Sequence, residues 1–275
     1  MEEIKILGIP VKRINKNQFL KTIEGTIFSG SKLHIVTVNP EMFVEASKNF
    51  HFKKILRKTF NIADGVGTMW ASYYLSLIDK KDRYQKLGFI KKLLLFKLTI
   101  FLIPFWKKIF KVLPEKLSGS DIFWDVLELA NKYSWRVFLM GGRRGVAKKV
   151  KRIIEEKFKK IIICDAIEGS PRSKKDFLIR ERIRRTTPNV LFVAFGSPKQ
   201  EVWIERNLKH LNNRLVAIGV GGTFDFVAGK IKRAPAVFQS LGLEWLWRLI
   251  LEPKKRFKRI INAIFVFPWL ILKSK

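Results

Sequence analysis

The sequence predicts an α/β fold: a Rossmann-like core with a mostly parallel sheet and helices on both faces, followed by a basic C-terminal helical appendage. Two apolar runs, residues 190–195 and 215–220, lack the alternation of a half-exposed strand and are typical of strands covered on both faces. Each of these runs ends in a polar cluster rich in glycine. The segment 119–158 predicts a helix, a strand at 136–140, a glycine turn and a basic helix, the order of a nucleotide-binding βαβ unit.

Three shorter segments predict further strands before residue 80. They are the apolar runs 4–9, 33–38 and 60–63. The last two lead into Thr37-Val38-Asn39 and Asp64-Gly65-Val66-Gly67, so two polar motifs fall at the carboxyl ends of predicted strands. Ligands of open parallel sheets bind just beyond those ends. From the residues alone, Asn39 is equally well a plain helix cap, and an aspartate before glycines is often only turn chemistry.

Prolines and small polar residues mark the predicted helix starts. Pro40 opens a predicted helix that runs through Phe50. Ser197 suits an N-cap and Pro198 the first helical position, where backbone N–H groups have no partner of their own. In the tail, one helix is predicted from Ala236 and another from Pro253. These boundaries divide the chain into a core at 1–235 and an appendage at 236–275.

The segment 80–116 interrupts the core with an apolar insertion. Residues 93–106 are apolar except for Lys97 and Thr99, and lysines crowd both sides. The run is too short to cross a bilayer, which takes about 20 apolar residues, and Pro104 interrupts it. We expect this segment to lie in an anionic membrane interface, with Trp106 as an interfacial side chain. Packing as a core helix is the alternative.

The net charge of +32 predicts an anionic partner, which could be nucleic acid, acidic lipid or a phosphorylated substrate. Residues 80–116 and 230–275 each contain eleven basic and two acidic side chains, so these segments carry +18 of the total. The tail ends in an apolar run, 260–272, that is again too short to span. It predicts a second interfacial anchor, with a solvated basic face as the alternative. We therefore expect the protein to be cytoplasmic and peripheral on the inner face of the cell membrane.

Cysteine usage and missing motifs narrow the function. The single cysteine, Cys164, is most simply a small core residue at a strand end and fits a reducing cytosol. Residues 1–10 do not resemble a signal peptide. The sequence contains no Asp-x-Asp pair, no Gly-x-Ser-x-Gly elbow and no histidine cluster, so no metal site is expected.

Two functions are alternatives on these residues alone: a nicotinamide-dependent enzyme and a nucleic-acid-binding protein. The turn at Gly141-Gly142 predicts phosphate binding at a helix N-terminus. Met140 stands where a dinucleotide fingerprint has its first glycine, but Asp165 and Glu168 follow at about the spacing of a ribose-binding acid. This motif alone therefore does not exclude a nicotinamide-dependent enzyme. The charge and 35 aromatic residues suggest a nucleic-acid-binding protein, although no helix-turn-helix or RNA-recognition signature is present.

Six motifs are spread along the chain. The two longest are Ala194-Phe195-Gly196-Ser197-Pro198-Lys199-Gln200-Glu201 and Gly219-Val220-Gly221-Gly222-Thr223-Phe224-Asp225. The others are Thr37-Val38-Asn39, Ala63-Asp64-Gly65-Val66-Gly67, Ser118-Gly119-Ser120-Asp121, and Gly242-Leu243-Glu244-Trp245-Leu246-Trp247-Arg248 with Glu252-Pro253. In their order along the chain they give the sequence a specific resemblance to the WecG/TagA/CpsF family of bacterial glycosyltransferases, family 26. The resemblance covers nearly the whole chain except about thirty residues after Leu77, where the family has a short connection.

The resemblance implies the reaction. Family members transfer a sugar, such as N-acetylmannosamine or its uronic acid, from a UDP donor to undecaprenyl-diphosphate-linked N-acetylglucosamine, with inversion and without an obligatory metal. Cell-surface polysaccharide or teichoic acid synthesis is the implied setting. The implied partners are therefore a UDP-sugar, a polyprenyl-diphosphate acceptor and an anionic membrane surface rather than nucleic acid. A homo-oligomeric state stays open.

The resemblance and the motifs together assign site residues. Asp64 is expected to be the general base, with Thr37, Asn39 and Gln200 positioning the sugars. Substrate contacts are expected at Gly65, Gly67, Lys116, Gly119, Asp121, Gly141, Gly142, Gly196, Ser197, Pro198, Lys199, Glu201, Gly221, Gly222, Phe224, Asp225, Arg233, Arg248, Arg256 and Arg259. Backbone N–H groups at Gly141-Gly142 and at Gly221-Gly222 would stabilise the departing UDP. Lys116 replaces an arginine that the family usually has, and lysine lacks the bidentate fork.

Overall fold

A computed structural model describes residues 2–79 and 89–274, and it confirms the predicted α/β fold. In this part of the chain, a parallel sheet of six strands has the order β4-β3-β8-β7-β5-β6. The strands are β1 (Glu3–Ile6), β2 (Ile9–Lys12), β3 (Lys32–Val38), β4 (Phe60–Ala63), β5 (Arg136–Gly141), β6 (Ile162–Ile167), β7 (Val190–Ala194) and β8 (Leu215–Gly219). β7 and β8 are buried at every position because helices cover both faces of the sheet.

The helices of the described chain are numbered in order. Those of the core are α1 (Lys16–Phe28), α2 (Pro40–Lys48), α3 (Phe50–Lys58), α4 (Val66–Asp79), α5 (Phe89–Phe101), α6 (Trp106–Ile109), α7 (Gly119–Lys132), α8 (Val146–Lys157), α9 (Asp176–Thr186), α10 (Lys199–Leu208) and α11 (Thr223–Val227). Those of the tail are α12 (Ala236–Ser240), α13 (Glu244–Leu251), α14 (Pro253–Ile261) and α15 (Phe267–Lys273), with a π-helical turn at Asn262–Val266 between the last two.

Two local predictions near the N-terminus are wrong. Residues 4–9 do not form one strand of the main sheet, because Leu7 and Gly8 have positive φ angles and reverse the chain. The result is a separate antiparallel hairpin of β1 and β2, joined by the left-handed turn that two-residue hairpins favour. The helix predicted from Pro40 through Phe50 ends at Lys48, since the Asn49 side chain caps α3 by accepting a hydrogen bond from Phe52 N–H at 3.0 Å.

The register of the sheet brings the carboxyl ends of its strands together. Val38 of β3 pairs with Ala63 of β4, and Val36 pairs with Gly219 of β8. On the other side, Gly219 pairs with Val193 of β7. All the polar motifs that follow these strands therefore lie along one edge of the sheet, which is where parallel sheets bind ligands.

The tail is packed into the protein rather than held away from it. Gly242, with φ of +75°, ends α12 and turns the chain into α13, so the single helix predicted from Ala236 is broken. At the far end Phe267, Ile271 and Leu272 are buried, and Phe267 stacks on Phe43 with ring centroids 5.4 Å apart. The apolar run predicted as an anchor thus contributes one face to the core.

The insertion is also divided between core and surface. On α5, Phe96 and Thr99 face inward, and Trp70 Nε1 donates to Thr99 Oγ1 at 3.1 Å. Trp106 is 7 % exposed, so its predicted interfacial position is wrong. The outer face of α5 remains exposed. None of the helices in residues 2–79 and 89–274 combines the length and apolar character that crossing a membrane requires. Residues 80–88 of the predicted insertion lie outside the described ranges.

Cys164 lies inside β6 rather than at its end, half-buried, with its thiol donating to the Val137 carbonyl at 3.3 Å. The thiol therefore bonds to the backbone of the neighbouring strand β5. Cys164 therefore belongs to the packing of the sheet, as its small size suggested.

His34 on β3 is an unusual core residue. The imidazole is 6 % exposed and both ring nitrogens are without a hydrogen-bond partner in the described structure. Burial lowers its pKa to about 3. The unfolded imidazole titrates near pH 6.5, so the unfolded state binds more protons between the two values. The free energy of unfolding therefore decreases as the pH is lowered through this range, by up to about 1.4 kcal/mol per pH unit.

Replacement of His34 by leucine is therefore expected to stabilise the protein in acid. At pH 5 the variant should gain roughly 2 kcal/mol in free energy of unfolding over wild type, because it carries no proton-binding group to bury. Urea unfolding at pH 7 and pH 5 measures the gain. The same change at the exposed His51 serves as control, and an equal gain there would rule out burial as the cause.

Candidate active site

Asp64 lies directly after β4 at the ligand-binding edge of the sheet. Its backbone N–H donates to the Val38 carbonyl at 2.9 Å, and its carbonyl accepts from Thr68 Oγ1 at 2.8 Å. These bonds hold the residue at the boundary between β4 and α4 and leave the carboxyl group for other partners. Because Val38 and Ala63 are paired, Asn39 and Asp64 are the next residues beyond two neighbouring strands.

The surroundings of Asp64 raise its pKa to about 6, chiefly through burial. Lys116 and Arg248 favour the carboxylate, whereas Glu244 and Asp121 oppose it. The carboxyl group is therefore mostly ionised at neutral pH but titrates close to it, which is the range in which a general base works well. Strongly perturbed acids in clefts are candidates for catalysis.

Lys116 lies near Asp64, and acidic partners hold both Lys116 and Arg233. Lys116 Nζ donates to Glu244 Oε2 at 3.1 Å, and Arg233 forms an ion pair with Asp121. Arg233 also lies 4.0 Å from Glu244 Oε1. Glu244 at the start of α13 thus connects the tail to two cations of the core. It is a site residue that the prediction missed, although it stands inside one of the six motifs.

Arg248 on α13 faces the same space. Its guanidinium lies 4.6 Å from the ring centroid of Phe226, which follows the second long motif. Burial lowers the pKa of Arg248, and the neighbouring Arg256 lowers it further, while Asp64 and Glu244 raise it. A planar cation on an aromatic face is well ordered, so Arg248 is suited to contact an anionic group near Asp64.

Arg256 and Arg259 on α14 extend this cationic surface. Arg256 is 8 % exposed and pairs with Glu252 one turn earlier at 3.3 Å. Arg259 reaches across to the core and pairs with Glu41 in the first turn of α2. Both arginines act on Arg248 through their charge, which places three tail arginines around one space.

The smaller predicted residues lie at the ends of β3 and β4 or just after them, and at the start of α7. The Asn39 side chain caps α2 by accepting from Met42 N–H at 3.1 Å, so the cap interpretation is correct and leaves its amide group for other contacts. A Cβ on Gly119 would lie 3.5 Å from Thr37 Oγ1, and one on Gly67 would lie 2.6 Å from Pro40. Gly65 also lies against Pro40. These glycines allow α4 and α7 to approach β3 and α2 closely.

Gln200 is buried and bonds to the loops after two neighbouring strands. Its Oε1 accepts from Gly196 N–H at 3.1 Å and from Gly221 N–H at 3.0 Å, while its Nε2 donates to Glu201 Oε1 at 2.7 Å. The side chain is 4 % exposed. Gln200 therefore joins the loops after β7 and β8, and its contact with a sugar stays a prediction. Glu201, at 1 % exposure, supports it, and burial raises the pKa of Glu201.

The glycine turns offer fewer free N–H groups than predicted. Gly142 N–H donates to the Ala194 carbonyl at 3.1 Å, and Gly221 N–H is taken by Gln200. A Cβ on Gly141 would lie 2.6 Å from the Ala194 backbone, so this glycine serves strand packing. Gly222, in contrast, has open space where a Cβ would stand. Side-chain cations rather than the Gly142 and Gly221 amides are available to neutralise a leaving group.

A cleft of about 470 Å³ opens beside the arginines, within the usual range of small-molecule sites. Arg143 and Asp225 line it from the ends of β5 and β8, and Glu252 lines it from the tail. Lys230, Ile231, Lys232 and Leu251 complete the lining. Asp225 Oδ1 is buried and has no hydrogen-bond partner in the described residues, so an acceptor is unmatched in this cleft. Arg143 is a residue that the prediction missed, although it follows the glycine turn.

Three residues of the two long motifs, Phe224, Ser197 and Pro198, differ from prediction. Phe224 is 1 % exposed and packs against Phe123 with centroids 5.9 Å apart, so the predicted substrate contact of its side chain is wrong. Helix α10 begins at Lys199, which is exposed, and Ser197 does not cap it. The Ser197–Pro198 peptide bond is cis, which places Pro198 before the helix rather than in its first turn.

Asp165 and Glu168, the two acids at the spacing of a ribose-binding acid, have other partners. Arg182 donates to both carboxylate oxygens of Asp165, and Glu168 accepts from Gly145 N–H at 3.2 Å. Glu168 therefore closes the glycine turn itself. This geometry favours a structural role for both acids and removes the ribose contact on which the nicotinamide-dependent alternative depended.

Comparison with known proteins identifies the family of this chain. The family model described as "Glycosyl transferase WecG/TagA/CpsF family" matches residues 4–103 and 99–275. The chain is 31 % identical over 265 residues to an N-acetylglucosaminyldiphosphoundecaprenol N-acetyl-beta-D-mannosaminyltransferase of Bacillus subtilis (strain 168), covering 95 % of this chain and 88 % of that one. It is 29 % identical to a protein of the same name from Bacillus spizizenii, covering 89 % and 81 %. The chain therefore belongs to the WecG/TagA/CpsF family of glycosyl transferases.

Proposed function

We propose that this protein is an inverting glycosyltransferase that moves N-acetylmannosamine, or its uronic acid, from a UDP-sugar to undecaprenyl-diphosphate-linked N-acetylglucosamine. One observation carries the proposal: a carboxylate with a pKa near 6 lies among cations supplied by both core and tail. The names of the two Bacillus relatives state transfer of N-acetylmannosamine to the same acceptor.

The chemistry follows from the placement of these charges. The Asp64 carboxylate accepts the proton of the acceptor hydroxyl as the hydroxyl oxygen bonds to the anomeric carbon. The bond between that carbon and the diphosphate oxygen breaks at the same time, and UDP departs with the electron pair. Attack from the face opposite UDP inverts the anomeric centre. Lys116 and Arg248 are close enough to Asp64 to act on its charge and can stabilise the departing diphosphate.

The two substrates have separate candidate positions. The 470 Å³ cleft, with Asp225 Oδ1 as an unmatched acceptor, suits a nucleotide that carries N–H or O–H donors. Arg256 and Arg259 of the tail suit the diphosphate of a lipid-linked acceptor. Since that acceptor is anchored in a bilayer, the protein works at a membrane surface, and the basic tail is its first point of contact.

Product analysis tests the proposal. The purified protein is incubated with a panel of UDP-sugars and a short-chain lipid-diphosphate N-acetylglucosamine acceptor, and the linkage is assigned by NMR. A disaccharide of inverted anomeric configuration is expected with UDP-N-acetylmannosamine or the uronic acid. Failure of every donor, or saturable binding of an oligonucleotide with none of UDP, would replace the transferase by a nucleic-acid-binding function.

Metal independence is a separate prediction. In the described parts of the chain, no group of three or more His, Cys, Asp or Glu side chains is placed to hold a metal ion, and cationic side chains face Asp64 instead. We expect sugar transfer to continue unchanged in EDTA. Loss of turnover in EDTA that Mg²⁺ or Mn²⁺ restores would contradict this mechanism.

A further inference from the structure

The outer face of α5 carries an apolar strip that no other described element covers. Ile90, Leu94, Leu98 and Phe101 are 73 %, 62 %, 60 % and 84 % exposed, and we call these four residues the α5 ridge. At 100° per residue they share a stripe about 80° wide on the helix. Contiguous exposed apolar surface of this kind is uncommon on a soluble protein and marks an interaction site.

A different face of α5, its inner face, packs against the core, so the ridge is not the face that the core needs. Phe96 packs edge-on against Trp70 at 5.4 Å and against Tyr74 at 5.7 Å. Thr99 accepts the Trp70 Nε1–H bond, and Tyr74 Oη donates to the Lys92 carbonyl at 3.3 Å. Rotation of the helix to bury the ridge would break all of these contacts.

Charge identifies the partner. Residues 89–112 contain six lysines and no acidic residue, and the side chains of Lys97, Lys107 and Lys108 are exposed. Apolar side chains between lysines suit a surface that is apolar inside and negative outside, which is an anionic bilayer. A second copy of the chain is a poor match, because a two-fold axis would bring two sets of six lysines together.

We propose that the α5 ridge inserts into an anionic lipid bilayer and orients the active site toward it. This inference rests on the proposed function, in which the acceptor is a membrane lipid. Helix α5 contacts α4, which follows Asp64, and also contacts α15 of the tail. Trp269 and Phe265 of the tail are also exposed apolar side chains, at 49 % and 68 %. Docking through the ridge therefore holds the tail arginines at the level of the lipid diphosphate.

The double variant Leu98→Glu, Phe101→Glu tests the ridge. Flotation uses vesicles of phosphatidylcholine and phosphatidylglycerol in equal parts, and vesicles of phosphatidylcholine alone. Wild type is expected to float with the anionic vesicles, less so in high salt, and the variant to bind them about tenfold more weakly or worse. Circular dichroism establishes that the variant is folded.

A matched control separates insertion from charge. Phe177 and Leu178 on α9 are 65 % and 70 % exposed, and residues 172–185 contain seven basic and two acidic residues. The variant Phe177→Glu, Leu178→Glu makes the same change of charge in a basic region that packs on a different part of the core. It should float like wild type. Equal loss in both variants, or no loss in the α5 variant, would overturn the proposal.

A second measurement does not depend on loss of binding. Leu98→Cys in a Cys164→Ser background, carrying a polarity-sensitive fluorophore, should shift to shorter wavelength with anionic vesicles, whereas the label at Phe177→Cys should not. A change in molar mass by light scattering in the α5 variant would instead identify a second copy as the partner.

The transfer assay keeps this inference distinct from the proposed function. The α5 variant should transfer sugar to a short-chain soluble acceptor at the wild-type rate and transfer poorly to an acceptor embedded in vesicles. If wild type transfers to neither acceptor, the proposed function fails, while flotation still decides whether the ridge binds membrane.

Discussion

Asp64→Asn is expected to lower sugar transfer by about a hundredfold or more, the scale on which loss of a general base is felt. The amide keeps the shape of the carboxyl group but cannot accept the acceptor proton. Asp64 follows β4, and the predicted nucleotide cleft is lined by residues after β5 and β8, so UDP binding should remain close to wild type. Initial rates with a short-chain acceptor, and calorimetric titration of UDP, measure the two effects.

The pH dependence of wild type gives an independent check. Burial raises the pKa of Asp64 to about 6, and the base must be ionised to work, so kcat/KM should fall about tenfold per pH unit below that value and level off above it. Asp125→Asn, the same change at a carboxylate that pairs with Lys16 on α1, should leave the rate unchanged. Transfer by Asp64→Asn within a few fold of wild type would remove Asp64 from the role of base.

Arg259→Ala should reduce transfer to a lipid-diphosphate acceptor by on the order of tenfold to a hundredfold, because a hydrogen bond to a charged group contributes about 1.5–3 kcal/mol. The loss should appear mainly in the KM of the acceptor, with UDP binding unchanged. Steady-state kinetics at varied acceptor concentration, and UDP titration of the same variant, measure both.

Glu41→Gln is the matched control for this arginine. In the free protein Arg259 pairs with Glu41, so Arg259→Ala also removes a contact between tail and core. Glu41→Gln weakens that pair and keeps the arginine. If it lowers transfer as much as Arg259→Ala does, the arginine acts by holding α14 in place and not by binding diphosphate. Deletion of the tail is a poorer test, since it also removes the buried Phe267 and Ile271 from the core.

The sequence by itself determined the fold class and the edge of the sheet where the chemistry lies. Unbroken apolar runs such as β7 and β8 indicate strands covered on both faces, and the chain order of strands and helices implies a parallel sheet. In such a sheet the motifs after each strand must meet at one edge. The sequence therefore predicts that Asp64 and Asn39 lie at the same edge, because backbone periodicity and chain direction are local properties.

Only the tertiary structure decided which side chains of those motifs face the site. Phe224 and Gln200 stand in the same motifs as the predicted contacts, yet one packs in the core and the other bonds two loops. Glu244 and Arg259 meet the core across more than a hundred residues of chain. Such contacts depend on how helices pack and on which polar groups must be satisfied once buried, and neither is encoded in a local pattern.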